Sequence, residues 1–236
     1  MLVLGIETST PHTSVALGSE RGLLASATFS GPKASHETVV PAVEQLLRWS
    51  DRARTDLTGI AVGLGPGLFT GMRVGVATAK TLAQVLGIPV VGMASLDLVA
   101  FSYRHSPRLI CATIDAKRKE LFFAFYRPVP GGVTRQTGFE VGSAAVLAAE
   151  LQARKEDLLV VGNGGLVYRR ELEEAGSHVE VAGGAASFPS AVSLVELAAP
   201  RFEREEYDRV YDLEPIYVRK SDAEIAWDKR RAAGAA

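Results

Sequence analysis

The chain has 236 residues and a formal net charge of −1, with 26 Lys and Arg against 27 Asp and Glu. This balance excludes a globally basic protein that binds nucleic acid or membranes by charge alone, and a hydrophobic content of 47% excludes a disordered chain. The N-terminus lacks the basic and apolar regions of a signal peptide, and the single cysteine, Cys111, lies in an apolar run. We therefore expect a folded, cytoplasmic protein with no membrane segment and a buried thiol.

Hydrophobic periodicity predicts the elements of the first half of the chain. Three strands come first, and a helix then begins near Ser35 and ends before Asp51. A strand, a helix, a second strand and a second helix follow. The predicted bounds, in chain order, are 1–6, 13–18, 23–29, 35–49, 59–63, 71–86, 89–92 and 96–103.

The second half repeats this order of elements. Its predicted strands and helices span 109–114, 121–125, 133–139, 144–151, 158–162, 166–174 and 179–182. An acidic residue ends the first strand of each half, Glu7 in one and Asp115 in the other. The repeat predicts an α/β protein of two duplicated βββαβα lobes, residues 1–104 and 105–236, with any ligand at the strand ends near the cleft.

The glycine-rich segment 63–75 follows a strand and opens a helix. Glycines there let the backbone come close to a ligand or to another element, and free N–H groups at the helix start favour anions. The segment is not a dinucleotide fingerprint, because Leu68 stands where the last glycine is required, and it does not match a P-loop. A tight turn in which Gly71, Gly75 and Ala79 form a packing stripe explains it equally well.

Other chemistries find little support in the sequence. The histidines have no metal-ligand spacing, and no G-x-S-x-G nucleophile motif occurs. Glu7 and Asp115 each end a strand, which is where acidic residues lie in enzymes of metal-assisted phosphoryl transfer. Segment 115–119, however, lacks the glycines of a phosphate loop. We expect a cleft that is incomplete as an ATPase. Segment 163–165 suits either an adenosine-side loop or a strand-to-helix turn, and Trp227 suits either solvent or a partner surface.

Five short motifs together resemble the TsaB (YeaZ) family over nearly the full chain. They are Glu7-Thr8-Ser9-Thr10, Ser35-His36, Gly65-Pro66-Gly67-x-Phe69-Thr70-Gly71-x-Arg73-x-Gly75, Ile114-Asp115-Ala116-Lys117-Arg118 and Pro215-x-Tyr217-x-Arg219. The resemblance implies a two-lobed actin/hexokinase-like ATPase (ASKHA) fold. It also implies a scaffold or activator subunit that is not an enzyme by itself and pairs with TsaD, the catalytic paralogue that transfers threonylcarbamoyl to the tRNA adenosine next to the anticodon.

The resemblance also implies where partners and ligands are found. TsaD would bind the helices near 35–49 and 71–86, whose candidate contact residues are His36, Val39, Val43, Met72, Arg73, Val76 and Lys80. The candidate loop and cleft residues are Glu7, Thr8, Ser9, Gly65, Gly67, Thr70, Gly71 and Asp115. The isolated chain would hold no cofactor, whereas ATP and metal belong to partner subunits. Independently of the resemblance, the apolar surface of these helices predicts a homodimer when the partner is absent. A TsaE-like ATPase and tRNA would join only in the assembled complex.

The sequence differs from this group of proteins at two places, and two other functions remain as alternatives. TsaD carries a histidine pair after the strand that corresponds to 89–92, and segment 93–97 here has none, so no metal site is expected. Leu68 stands where serine is usual. An active small-molecule kinase of the same fold would need an intact phosphate loop at Asp115 and a catalytic acid. A glycoprotease-like metallopeptidase would need metal ligands.

Overall fold

The computed structural model describes residues 1–31 and 37–219. A five-stranded sheet forms first, in the order β3-β2-β1-β4-β5. β1, β2 and β3 form an antiparallel meander, and β4 and β5 run parallel to β1. The strands are β1 (Leu2–Glu7), β2 (His12–Ser19), β3 (Gly22–Ser30), β4 (Gly59–Gly63) and β5 (Val90–Met93); the helices are α1 (Val39–Trp49), α2 (Phe69–Leu86) and α3 (Ser95–Phe101), with a 3-10 turn at Arg54–Asp56.

The second sheet repeats the connectivity of the first. Its order is β11-β10-β6-β7-β8, with β9 also paired to β7. β7 is antiparallel to the central β6, and β10 and β11 are parallel to it. The elements are β6 (Leu109–Lys117), β7 (Glu120–Val129), β8 (Gly132–Arg135), β9 (Glu140–Ser143), α4 (Ala144–Ala153), β10 (Leu158–Val161), α5 (Asn163–Val167), α6 (Arg169–Glu173), β11 (Val179–Val181), a 3-10 turn at Ala185–Ser187, and α7 (Ala191–Glu203). The duplicated order of strands is therefore confirmed.

Three details differ from the predicted elements. The strand predicted over 133–139 ends at Arg135 as β8, beyond which the Phe125 amide of β7 donates to the Thr137 side-chain oxygen at 3.2 Å; β9, over Glu140–Ser143, was not predicted. The helix predicted over 166–174 is two short helices that meet at Tyr168. No helix was predicted over α7, whose serine-rich start and internal Pro200 interrupt its apolar pattern.

Helices cover both faces of the first sheet. Leu4 and Ile6 pack with α1 and α2 on one face, and Val3 packs with α7 on the other. Gly5 permits this second contact, since a Cβ there would lie 2.7 Å from Val195 of α7. The second half of the chain thus supplies a helix to the first sheet. The division of the chain at residue 104 stays a prediction.

Helix α3 lies between the two sheets. Its Leu98 packs with α7 and the first sheet, whereas Leu96 packs on the second sheet beside Ile110 and Tyr126. On the opposite face of the second sheet, Cys111 is fully buried among apolar side chains, as predicted. The burial raises the pKa of the Cys111 thiol, which keeps it protonated. Within the described residues, no helix is long and apolar enough to cross a membrane.

Candidate functional site

Glu7, at the end of β1, is fully buried. Its Oε1 accepts a 2.6 Å hydrogen bond from the Ser9 amide, and its Oε2 accepts a 2.8 Å bond from the Ser95 hydroxyl. Ser95 in turn accepts from the Gly65 amide at 3.1 Å. Burial raises the pKa of Glu7, and these hydrogen bonds oppose that rise. A Cβ on Gly63 would lie 1.9 Å from Oε2, so β4 also closes on this carboxylate.

The glycines after β4 are required by the chain's own β1–β2 loop. A Cβ on Gly67 would lie 2.1 Å from the Ser9 carbonyl oxygen, and one on Gly71 would lie 2.1 Å from that of Thr8. The Thr8 hydroxyl donates to the Gly71 carbonyl at 2.7 Å and would meet a Cβ on Gly75 at 2.2 Å. Of the two explanations left open by the sequence, the tight turn therefore accounts for these glycines.

Asp115 occupies the corresponding position in the second lobe, but a bulge in β6 sets its surroundings. It is 8% exposed, and its two oxygens accept from the backbone amide and the Nζ of Lys117 at 2.9 and 2.6 Å. Beyond Ala116, the consecutive residues Lys117, Arg118 and Lys119 all have positive φ, at 62°, 54° and 65°. The irregular β6–β7 connection therefore places the amide and ammonium groups of Lys117 on the Asp115 carboxylate.

The loop at 163–165 is a strand-to-helix turn packed against β6. The Gly165 amide donates to the Thr113 hydroxyl oxygen at 2.7 Å. Gly162 has φ 99°, and a Cβ there would lie 1.9 Å from the Thr113 carbonyl oxygen. The Asn163 side-chain oxygen accepts from the Asp115 amide at 3.3 Å. These contacts use the glycines for packing within the lobe, so the turn explanation fits.

The C-terminal segment crosses from one lobe to the other. The Ile216 amide donates to the Leu64 carbonyl at 2.8 Å in the first lobe. Arg219 donates to the Glu120 carboxylate and, at 3.2 Å, to the Ala116 carbonyl in the second lobe. The segment closes one side of a cavity of about 400 Å³ whose other walls are residues 67–70, Met72, residues 116–118 and Phe122.

Two residues of α2 hold this segment in place. The Arg73 guanidinium lies 3.8 Å from the centre of the Phe69 ring, and its Nε donates to the Tyr217 hydroxyl at 3.0 Å. The Lys80 Nζ donates to the carbonyls of Tyr211 and Leu213, both at 3.2 Å. Both cations therefore bind the chain itself.

A family model described as TsaD, tRNA N6-adenosine threonylcarbamoyltransferase, matches residues 30–227. The tRNA threonylcarbamoyladenosine biosynthesis protein TsaB of Bacillus subtilis is 32% identical over 96% of this chain and 98% of its own length. Its Escherichia coli namesake is 27% identical over 97% and 98%. The chain belongs to the TsaB (YeaZ) family.

A solved structure agrees with this membership. YeaZ from Pseudomonas aeruginosa superposes with a TM-score of 0.79 at 26% identity, over 92% of this chain and 99% of that one. Together with the duplicated sheets, this agreement confirms the expected α/β, two-lobed actin/hexokinase-like fold.

In a TsaB-family chain of this fold, the cleft is where magnesium and a nucleotide would be sought. Each oxygen of Glu7 and of Asp115 accepts a hydrogen bond from the chain itself, and the expectation that the isolated chain holds no cofactor stays a prediction. Of the loop candidates, Thr8 and Ser9 are buried, and Thr70 is exposed beside the cavity. Among the same described residues, no three His, Cys, Asp or Glu side chains are grouped to hold a metal.

The structure corrects the expected orientation of four candidate partner contacts. The side chains of Val39, Val43, Met72 and Val76 are only 2–5% exposed. They face inward because α1 and α2 turn their apolar sides to the first sheet and its loops. The outward apolar residues of these helices are instead Val40, Trp49 and Val85, with 56%, 71% and 78% exposed. His36 lies outside the described residues, and partner binding by α1 and α2 stays a prediction.

Sequence reasoning missed one link between the lobes. The Tyr126 hydroxyl on β7 donates to Asp97 of α3 at 2.7 Å, and Arg135 of β8 lies 3.5 Å from the same carboxylate. Burial raises the pKa of both Asp97 and Tyr126. Since the three residues share no motif or spacing, no sequence signal predicted this contact.

Proposed function

We propose that this chain is a non-catalytic scaffold or activator subunit in the synthesis of threonylcarbamoyladenosine in tRNA. It pairs with a TsaD-like paralogue, which transfers the threonylcarbamoyl group to the tRNA adenosine next to the anticodon. The TsaB relatives bear the name of this pathway, and the matching family model is that of the transferase. These comparisons support the tRNA pathway and not a small-molecule kinase.

The observation that carries the non-catalytic role is the engagement of Glu7. The carboxylate is 0% exposed and binds Ser9 and Ser95. A general acid, a general base or a magnesium ligand needs an oxygen that can reach substrate or metal. The hydrogen bonds of Glu7 hold the β1–β2 loop, the β4–α2 loop and α3 together. The role of this carboxylate in the proposed function is therefore structural.

The outward faces of α1 and α2 are the proposed partner surface. Three large apolar side chains are exposed there, and such side chains are favoured at the centre of protein interfaces. The same faces would form the homodimer of the isolated chain. ATP and metal belong to the partner subunits, a TsaE-like ATPase and tRNA join through the complex, and the complex works in the cytoplasm.

Reconstitution tests this proposal directly. The chain, a TsaD-like paralogue, a TsaE-like ATPase, tRNA and the threonylcarbamoyl donor are combined, and the nucleosides of the digested tRNA are measured by mass spectrometry. We expect modification with the chain present, little without it, and neither transfer nor ATP hydrolysis by the chain alone. Transfer or ATP turnover by the purified chain alone, or full modification without it, contradicts the proposal.

A further inference from the structure

The exposed tyrosines of the chain all lie between the end of α7 and Arg219. Of the six tyrosines in the sequence, three are buried or half-buried, and the exposed three are Tyr207, Tyr211 and Tyr217, at 44%, 78% and 46%. Tyr217 accepts the hydrogen bond from Arg73, and the Tyr207 ring lies 6.0 Å from that of Phe202. Tyr211 is therefore the tyrosine whose exposure the fold explains least. We call residues 203–214, from the last residue of α7 onward, the tyrosine segment.

The backbone of the tyrosine segment is fixed although its tyrosines are exposed. The Asp208 amide donates to the Val90 carbonyl at 2.9 Å, and the Asp208 carboxylate accepts from the Gly92 amide at 2.7 Å. The Lys80 Nζ donates to the carbonyl of Tyr211 itself at 3.2 Å. A side chain that is presented from a fixed backbone leaves less conformational entropy to be lost on binding. The segment is thus preorganised to present the Tyr211 ring.

The tyrosine segment continues the outward face of α2. Lys80 of α2 joins the helix to Tyr211, and Val210 and Leu86 pack against the same core cluster. Tyr211 and Val85 are each 78% exposed, the highest values among the large apolar side chains of the described residues. A partner seated on the outward face of α2 would therefore also meet the tyrosine segment.

The charge of the tyrosine segment is negative. It contains six acidic residues and two arginines. Arg201 of α7 binds Asp208, and Lys80 binds two carbonyls of the segment, so two further cations lie beside it. Six acidic residues against these four cations leave an excess of two negative charges. This sign disfavours the phosphodiester backbone of RNA and favours a protein face with Lys and Arg, which also stack on tyrosine rings.

We propose that the tyrosine segment forms part of the surface that docks the TsaD-like paralogue, with Tyr211 as the central contact on a face of the paralogue that carries Lys and Arg. This inference rests on the proposed function and adds a contact outside the two helices. Tyrosine is enriched among the few residues that dominate the binding energy of protein interfaces. The acidic side chains around it act on the rate of association more than on the lifetime of the complex.

The test measures binding of the full chain to the TsaD-like paralogue by surface plasmon resonance. Tyr211→Ala removes the ring and keeps the carbonyl that Lys80 binds. A second variant, Asp212→Lys with Glu214→Lys, reverses two exposed charges beside that ring. Thermal unfolding of both variants should match that of the wild type, because the replaced side chains are exposed.

Each variant has a matched control on the second lobe. Val167→Ala on α5 removes an apolar side chain that is 59% exposed. Glu171→Lys with Glu174→Lys reverses two exposed acidic residues at α6. Neither control touches α2 or the tyrosine segment.

We expect Tyr211→Ala to weaken pairing about tenfold or more, mainly through faster dissociation. The charge reversal should slow association about tenfold at low salt, and this effect should disappear at high salt. The controls should change affinity less than about twofold. An affinity of Tyr211→Ala within about twofold of that of Val167→Ala overturns the proposal, whatever the charge reversal does.

Other occupants of the segment give different results. If Tyr211→Ala pairs normally but its assembled complex binds tRNA more weakly, measured by fluorescence anisotropy, the segment faces RNA and the proposal is wrong. If Tyr211→Ala weakens only self-association of the isolated chain, measured by ultracentrifugation, a second copy occupies the segment and the proposal is also wrong.

The same measurement separates this inference from the proposed function. Loss of pairing in Val85→Asp with normal pairing in Tyr211→Ala would leave the proposed function standing and overturn this inference alone. A wild-type chain that does not bind the paralogue would contradict the proposed function, and this inference with it.

Discussion

The Ser95 hydroxyl donates a 2.8 Å hydrogen bond to the Glu7 carboxylate across 88 residues of chain. This bond joins the end of the first strand to the start of the helix that lies between the two sheets. The strand-end acid of the first lobe is therefore part of the connection between the lobes.

Glu7→Gln should change how stability depends on pH. Because burial raises the pKa of Glu7 above its ordinary value of 4.5, the folded chain keeps this proton to a higher pH than the unfolded chain. The free energy of unfolding of the wild type should then fall, relative to Glu7→Gln, as the pH rises from 4.5 through the folded-state pKa. Urea unfolding of both proteins across this range measures the difference. A difference that is independent of pH would show that Glu7 does not titrate in this way.

Gly63→Ala should destabilise the fold by about 1–3 kcal/mol, since overpacking forces neighbouring atoms apart. The new Cβ would lie 1.9 Å from the Glu7 Oε2. Gly132→Ala in β8 is the matched control, because a Cβ there meets no atom within 4 Å. Thermal unfolding compares the two variants. Equal stabilities would mean that β4 does not close on Glu7.

Val76→Asp should unfold much of the protein rather than expose a partner surface. The side chain is 4% exposed in the core, and an uncompensated charge there should cost about 3–5 kcal/mol. This differs from the expectation, implied by the family resemblance, that Val76 contacts the partner. Urea unfolding measures the loss, and a stability within about 0.5 kcal/mol of the wild type would contradict the burial.

Val85→Asp tests the outward face of α2. Its side chain is 78% exposed, so the fold should tolerate the charge, whereas pairing with the TsaD-like paralogue should weaken by about 1–3 kcal/mol. Val146→Asp on α4, where the side chain is 57% exposed, is the control. Calorimetry measures both affinities. Weakened pairing in the control with unchanged pairing for Val85→Asp would place the interface on the second lobe.

Arg73→Ala should loosen the C-terminal segment from α2. The change removes both the contact with the Phe69 ring and the hydrogen bond to Tyr217, whereas Tyr217→Phe removes the hydrogen bond alone. Hydrogen exchange of the Ile216 amide, which is bonded to Leu64, reports docking of the segment. We expect faster exchange in Arg73→Ala than in Tyr217→Phe, with a loss of about 0.5–1 kcal/mol for the cation–π contact. Unchanged exchange in Arg73→Ala would show that other contacts dock the segment.

The sequence predicted the duplicated sheets because each strand carries its own apolar pattern and each turn its own chemistry. It also predicted a buried Cys111 and a tight turn as one explanation of the glycine-rich loop. The sequence pattern could not predict which face of α2 turns towards the core. Gly71, Gly75, Met72 and Val76 all face inward, since the helix packs on both the sheet and the Thr8 loop.

Contacts between segments that are far apart in the chain could not be predicted from the sequence for a different reason. Helix α7 follows the second sheet in the chain yet covers the first, with Val195 against Gly5. Arg73 binds Tyr217 across 144 residues. Local patterns describe which residues are apolar or charged, but they do not say which surfaces meet once the lobes have formed.

Glu7→Gln in the reconstituted complex tests the scaffold role most directly. Assembly with the TsaD-like paralogue is first verified by size exclusion, and tRNA modification per assembled complex is then measured by mass spectrometry. A structural Glu7 predicts turnover close to that of the wild type, because the amide fills the same enclosed space. A fully assembled Glu7→Gln complex whose turnover falls by several orders of magnitude would contradict the scaffold role, since a loss of that size marks a group acting in the transition state.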